Sequence, residues 1–225
     1  MAPGMRVLDV GCGNGASVRG WMDLGFDAYG CDFHFKEGPD VDDLVQKGRI
    51  SPIAQTPYRL PFPDAHFDLI VTNQVFEHVR DYDTTLGEMR RVLKPTGCCL
   101  HMFPSRGLPI EPHVFVPFAT VLQNKPWLKL WALLGVRKPN QRGLNWRHVA
   151  DSNCAYLTTS TNYLKAHEIK RHFLNHFPKT RYVEQTFLRH SPNARGKFLH
   201  RAGQAFPPFF VLYRQFWSRV ILARP

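Results

Sequence analysis

Apolar residues in the first hundred positions come in short blocks separated by glycines, prolines and acidic clusters. Residues 5–10 (MRVLDV) form one such block, closed by Gly11-Cys12-Gly13-Asn14-Gly15, and 16–24 follow with helical spacing, which predicts strand, tight turn and helix. A second strand is predicted over 28–31, ending at Asp32. Residues 67–72 (FDLIVT) are almost continuously apolar, as in a strand covered on both faces, and lead into Asn73-Gln74-Val75-Phe76-Glu77-His78. Over 84–93, Leu86, Met89 and Leu93 share a helical face before Pro95 and Gly97, and 98–103 read as the next strand. Strands alternating with helices imply parallel βαβ units and a doubly wound α/β sheet.

After Pro104, prolines and aromatics interrupt the alternation until about Thr161, so 105–160 reads as a cap inserted beside the carboxyl edge of the sheet. Residues 162–176 predict a helix, 182–188 a strand, and 211–223 a final strand or hairpin. On this reading 1–225 is one domain, with a core over 1–104, the cap over 105–160 and the rest of the sheet over 161–225.

The length of 225 residues suffices for one sizeable core. No apolar run approaches the roughly 20 residues of a membrane span, and the N-terminus lacks the layout of a secretory signal, so a cytoplasmic protein is expected. The five cysteines are an odd set without a Cys-x-x-Cys pair, which argues against a disulfide framework and a zinc site. No metal is expected. The net charge of +11 is uneven: residues 1–124 hold 11 Lys and Arg against 15 Asp and Glu, whereas 125–225 hold 18 against 3. Such a field suits a phosphorylated or nucleotide-linked substrate, nucleic acid or an acidic membrane, or is a solvated surface with no dedicated partner.

The glycine turn is the sharpest local signal. Glycines allow close backbone approach to a ligand, and the helix that follows offers unpaired N–H groups. Asp32, nineteen positions after Gly13, stands at a strand end where a carboxylate can accept from ribose hydroxyls. A nucleoside cofactor follows, although Gly11-x-Gly13-x-x-Ala16 also fits a dinucleotide fingerprint. Asp9, two residues before Gly11, would repel a pyrophosphate but attract a cation. S-adenosylmethionine, with its ammonium and sulfonium, therefore suits the pattern better than NAD.

The stretch Val7-Leu8-Asp9-Val10-Gly11-Cys12-Gly13-Asn14-Gly15 resembles motif I of class I methyltransferases. The similarity continues through 60–71 (LPFPDAHFDLIV), Phe76-Glu77-His78-Val79 and 88–97 (EMRRVLKPTG), in the order seen in the small-molecule branch that methylates sugars, quinones and natural products. The resemblance implies a Rossmann-like, doubly wound, mostly parallel seven-stranded sheet with an antiparallel last strand and a cap insertion after strand five. It also implies that Asp9 and the Gly11, Cys12 and Gly13 backbone hold the methionine end of S-adenosylmethionine, Asp32 the ribose and Phe33 the adenine face. Asn73 would line the methyl region, and Thr56, beside Gln55, stands where the family often has an acid for the adenine amino group. Thr96 replaces a usual glycine, an exchange expected to be structural. The chain begins almost at strand one, where family members generally carry N-terminal helices. The cover over the cofactor is therefore expected to be missing, supplied by a partner or replaced by the cap.

Methyl transfer to a hydroxyl calls for positioning and a base. Ile110-Glu111-Pro112-His113 supplies the candidate, with His113 as base and Glu111 as its orienter or a hydroxyl ligand, and it resembles a Glu-Pro-His stretch of methyltransferases of glycan biosynthesis. The alternative is a histidine that braces its loop. Glu77-His78 reads as structural and His101 as core.

The expected activity is O-methylation of a small-molecule or glycan hydroxyl, a lipid-linked sugar among them. RNA or protein methylation, or a non-catalytic cofactor-binding subunit, are the alternatives. Against RNA base methylation, Asn73-Gln74-Val75-Phe76 stands where an Asn-Pro-Pro-Tyr type of tetrapeptide would be. Residues 125–138 (KPWLKLWALLGVRK) place Trp127, Leu130, Trp131 and Leu134 at helical spacing between basic ends. That helix either packs as part of the cap or lies in the inner face of a membrane as a peripheral contact, and 207–224 admits the same two readings.

Overall fold

The computed structural model describes residues 4–225. In chain order the elements are β1 (Arg6–Val10), α1 (Ala16–Asp23), β2 (Asp27–Asp32), α2 (Val41–Gln46), β3 (Ile50–Pro52), β4 (Ala54–Gln55), β5 (Tyr58–Arg59), β6 (Phe67–Asn73), α3 (Tyr82–Val92) and β7 (Leu93–Pro104). There follow α4 (Lys125–Leu133), α5 (Trp146–Ser160), α6 (Ala166–His176), β8 (Arg181–Tyr182), α7 (Glu184–Arg189), α8 (Ala194–Ala205), α9 (Pro208–Phe216) and β9 (Ser218–Ala223). They group into two compact units: the chain up to Phe103 with Ala166–Val183 and Val220–Pro225, and Pro104–Lys165 with Glu184–Arg219.

The first unit is built on a seven-stranded sheet in the order β3-β2-β1-β6-β7-β9-β8. Strands β3, β2, β1, β6 and β7 run parallel, and β8 pairs antiparallel with β9. Val7, Leu8 and Val10 of β1 and Phe67, Leu69 and Ile70 of β6 are all buried, as expected of central parallel strands with covered faces. Because β1 lies between β2 and β6, the chain reverses its direction of winding there, the switch point beyond whose carboxyl strand ends open α/β sheets bind their ligands.

Helix α3 buries Tyr82, Leu86 and Met89 on one face, and Asp81 caps its start by accepting from Thr84 N–H at 2.9 Å. Near its end Glu88 accepts from Leu60 N–H at 2.9 Å, while Arg91 donates to Leu60 O at 3.0 Å, Phe62 O at 2.8 Å and Glu88 at 2.6 Å. The Leu60-Pro61-Phe62 segment is thereby clamped to the helix. Asp83 lies 3.0 Å from His172 Nδ1 and 3.1 Å from His176 Nε2, tying α3 to α6.

The second unit has a core of Val114, Val116, Leu128, Ala132, Val149 and Leu157 among others, with Trp127 and Trp131 half-buried against it. Asn124 caps α4, and Trp127 Nε1 donates to Pro117 O at 2.7 Å, so the indole is anchored at its polar end. Helix α8 is capped by Asn193, which accepts from Gly196 N–H at 2.7 Å. Helix α9 returns with the Phe210 ring on Gly203, where an added Cβ would come within 2.3 Å of the ring. Glu184 is buried and takes a two-pronged contact from Arg214, both legs 2.9 Å.

Four expectations are corrected. The helix predicted over 162–176 starts at Ala166. The strand predicted over 182–188 is only Arg181–Tyr182, because Glu184–Arg189 is a helix with Glu184 and Leu188 buried at helical i, i+4 spacing. The final strand or hairpin over 211–223 is instead helix Pro208–Phe216, begun by a proline in its first turn, followed by strand Ser218–Ala223. The buried stripe of α4 is centred on Leu128 and Ala132, and Leu130 and Leu134 of the anticipated stripe face outward with Leu133. Residues 184–219 accordingly group with the helical unit and leave the sheet only its last two short strands.

Candidate active site

Gly11, Gly13 and Gly15 all have positive φ, at 80°, 57° and 75°. Two of them are required by space as well as by backbone: a Cβ on Gly11 would lie 2.4 Å from Val75 Cγ2, and one on Gly15 2.5 Å from Leu44 Cδ1. The turn is pinned to the neighbouring strand. Gly11 and Cys12 N–H groups both donate to Cys31 O, at 2.7 and 3.2 Å, and Gly13 N–H donates to Asp32 Oδ2 at 2.8 Å. The second carboxylate oxygen accepts from Phe33 N–H at 2.7 Å. Each oxygen keeps a further lone pair, so the pinned carboxylate retains capacity for two hydroxyl donors.

Asp9 pairs with Gly30 on one side and Val71 on the other, one residue before the end of β1. It is buried, and desolvation, with a smaller contribution from Asp32, pushes its carboxyl up to about 6 against the lowering effect of a hydrogen bond with Ser17. The cation partner that the sequence suggests would reverse that penalty, because it stabilises the ionised form. Cys12 is held protonated, its thiol pushed up to about 12 by burial and by the carboxylates of Asp9 and Asp32. A protonated, buried thiol is a poor nucleophile, so nucleophilic chemistry does not suit Cys12.

Phe33 is 43% exposed, and its ring meets Tyr58 edge-on at 6.0 Å. Thr56 is exposed at the turn between β4 and β5, the hairpin that also carries Tyr58. Asn73 ends β6, exposed, in register with Met102 of β7. Gly11, Gly13, Asp32 and Asn73 are thus collected at the carboxyl ends of three adjacent strands. Tyr58, which presents the second aromatic surface beside Phe33, escaped the sequence reading because a single Tyr in a two-residue strand leaves no periodic signal.

Residues 8–101 match the model of the methyltransferase domain family. That stretch, less than half of the chain, is similar to methyltransferase domains. Among its relatives are the ubiquinone/menaquinone biosynthesis C-methyltransferase UbiE of Laribacter hongkongensis, 35% identical over 116 residues, covering 49% of this chain and 48% of the relative. The demethylmenaquinone methyltransferase of Renibacterium salmoninarum is 34% identical over 102 residues, covering 42% and 39% respectively. The match with the first of these spans about half of that relative's length. The fold is shared with an S-adenosylmethionine-dependent methyltransferase from Mesorhizobium loti (TM-score 0.53, 14% identity, 99% of this chain and 92% of that one). It is shared also with the Haemonchus contortus phosphoethanolamine N-methyltransferase 2 in complex with S-adenosyl-L-methionine (TM-score 0.54, 16% identity, 100% and 50%).

In the second unit, Glu111 is fully buried and its two oxygens collect four donors. His113 N–H, Val114 N–H, His113 Nδ1 and Tyr163 OH lie at 2.7, 2.6, 2.7 and 2.7 Å. Burial raises the carboxyl, but the His113 and Tyr163 hydrogen bonds outweigh it, so its pKa lies below the ordinary value. Glu111 is therefore a fixed anion that orients the His113 ring, which also lies against Tyr156 at 5.5 Å. Tyr163, 52 positions away, was missed because nothing local links it to Glu111.

His101 is fully buried, bonded to Thr72 Oγ1 at 2.9 Å and driven down to about 3 by burial. It is a neutral core residue. Glu77 is also buried, 4.0 Å from His78 Nε2.

Proposed function

We propose that this chain binds S-adenosylmethionine at the carboxyl ends of β1, β2 and β6 and transfers its methyl group to a hydroxyl-bearing small molecule. The observation that carries this reading is the pairing of a buried, destabilised carboxylate at Asp9 with the turn-anchoring carboxylate of Asp32. The residues fit the cofactor: Asp9 for a cationic amino group, the Gly11–Gly13 backbone for the methionine end, Asp32 for the ribose, and Phe33 with Tyr58 for the adenine face. Asn73, at the end of β6, would line the methyl region, and Thr56, in the turn between β4 and β5, would meet the adenine amino group. When bound, the cofactor supplies an electrophilic methyl on a positively charged sulfur.

The chain's own chemistry is then deprotonation. His113, whose ring is oriented by Glu111, would take up the proton of an acceptor hydroxyl. A glycan hydroxyl, including one on a lipid-linked sugar, is the acceptor that the Glu111-Pro112-His113 stretch suggests. The names of the relatives favour a second reading, in which the acceptor would be the carbon beside a ring hydroxyl of a quinol precursor: the deprotonated oxygen would activate that carbon, and the hydrogen replaced by the methyl would pass as a proton to the ring oxygen, restoring the aromatic ring.

Incubation with tritiated S-adenosylmethionine and separate pools of nucleotide sugars, glycolipids, demethylated quinols and RNA tests both. Label in the sugar or glycolipid pools supports the hydroxyl reading, label in quinols the carbon reading, and label in RNA alone overturns both.

A further inference from the structure

We propose that the second unit docks on an anionic lipid surface through the helical hairpin of α8 and α9. The charge of the chain is partitioned with its units: the first holds 15 Lys and Arg against 15 Asp and Glu, and the second 14 against 3. Two of those three acids are buried and already engaged, Glu111 with His113 and Tyr163, and Glu184 with Arg214. Asp151 alone among the described acids of this unit reaches solvent, beside Lys125 at 3.5 Å. The exposed charge of the unit is therefore almost purely cationic.

That same unit carries the exposed apolar side chains. Of nineteen large hydrophobic residues exposed among the described residues, fifteen belong to it. On α9 the pattern is two-sided. Phe209, Phe210 and Tyr213 turn inward, whereas Val211, Leu212 and Phe216 point out, Val211 at 60% exposure. Phe206 at the hairpin tip and Phe198 on α8 are exposed by 54% and 68%, next to exposed Arg195, Lys197 and Arg201. Helix α4 repeats the pairing on a smaller scale, with Leu130, Leu133 and Leu134 outward beside Lys129.

Apolar and aromatic side chains flanked by cations match the boundary between acyl chains and acidic headgroups. A second copy of the chain would set one strongly positive unit against another, which repels. An RNA would engage the cations but leave Val211, Leu212 and Phe216 facing water. The inference is independent of the methyl-transfer reading, because it concerns adsorption alone.

The test is flotation of the full chain with vesicles of equal parts phosphatidylcholine and phosphatidylglycerol, with pure phosphatidylcholine vesicles and an unlabelled RNA competitor as separate arms. The wild type should float with the anionic vesicles, less so at high salt, and should be weakened about tenfold or more on pure phosphatidylcholine. V211E/F216E should lose flotation while its circular-dichroism melt and cofactor calorimetry stay as in the wild type. R195E/K197E/R201E, which leaves the apolar face intact, should lose on the order of a hundredfold in affinity for the anionic vesicles. Failure of the wild type to float, flotation of both variants like the wild type, or displacement from anionic vesicles by RNA would each overturn the proposal.

Discussion

Asp32 accepts the N–H of Gly13 at 2.8 Å, so the residue expected to hold the ribose also holds the shape of the glycine turn. One carboxylate thereby links β2 to the loop after β1, at the point where the sheet reverses its winding. Asp32→Ala should weaken S-adenosylmethionine binding by about tenfold or more, since charge-assisted hydrogen bonds contribute about 1.5–3 kcal/mol each. Asp32→Asn, which keeps one acceptor, should fall between. Isothermal calorimetry reads both, and unchanged affinity in the alanine variant removes the assignment.

Asp9 yields a pH prediction with a definite sign. Its folded-state pKa of about 6 lies above the unfolded carboxylate value, so it takes up a proton on folding between roughly pH 4 and 6. Its contribution is most favourable below that window and is lost as pH rises through 6, at a cost of about 2–3 kcal/mol. Asp9→Asn should therefore melt higher than wild type at pH 7.5, with the gain vanishing towards pH 4. The same variant should bind S-adenosylmethionine more weakly and lack the rise in affinity expected of the wild type between pH 5 and 7.

Gly11→Ala faces two obstacles, a φ of 80° and a Cβ 2.4 Å from Val75 Cγ2. We expect a loss of about 1–3 kcal/mol in denaturant unfolding, with loss of cofactor binding. Adding Val75→Ala should recover the steric part only. Full recovery in the double variant would show that the left-handed backbone contributes nothing.

Glu111, His113 and Tyr163 form a set whose members should separate by assay. His113→Ala should cut the transfer rate by about a hundredfold or more while leaving cofactor affinity intact. Tyr163→Phe removes one of four donors to Glu111 and should cost about 1 kcal/mol of stability with a smaller effect on rate. Glu111→Gln, which places an amide among four donors, should destabilise more than Tyr163→Phe. Equal transfer rates for His113→Ala and wild type would reduce the histidine to a brace.

Glu88 and Arg91 act on the Leu60–Phe62 segment as one clamp. Alanine at either should cost about 1–3 kcal/mol, and the double variant little more than the worse single one. Additive losses in a urea double-mutant cycle would show two independent contacts.

Much of the first unit was legible because its information is local. Buried parallel strands demand apolar runs, Gly11 and Gly13 announce a left-handed turn, and Asp9 and Asp32 stand at fixed offsets from it. The second unit was not legible in that way. A run such as Tyr182-Val183 suits a strand by propensity, yet Glu184 is drawn into a helix whose buried charge is matched by Arg214, 30 positions later. The aromatics of α9 suggested a strand until Phe210 found Gly203 and left Val211, Leu212 and Phe216 outside.

The sequence by itself determined the α/β alternation, the glycine turn with its two carboxylates, and the uneven charge, since each depends on residues near one another in the chain. Only the tertiary structure decided that Asp9 is buried and hard to ionise, that Asp32 anchors the turn, that Tyr163 completes the setting of Glu111, and which helix faces are left to solvent. Those properties follow from desolvation and from contacts between distant segments, and neither is written in any local pattern of residues.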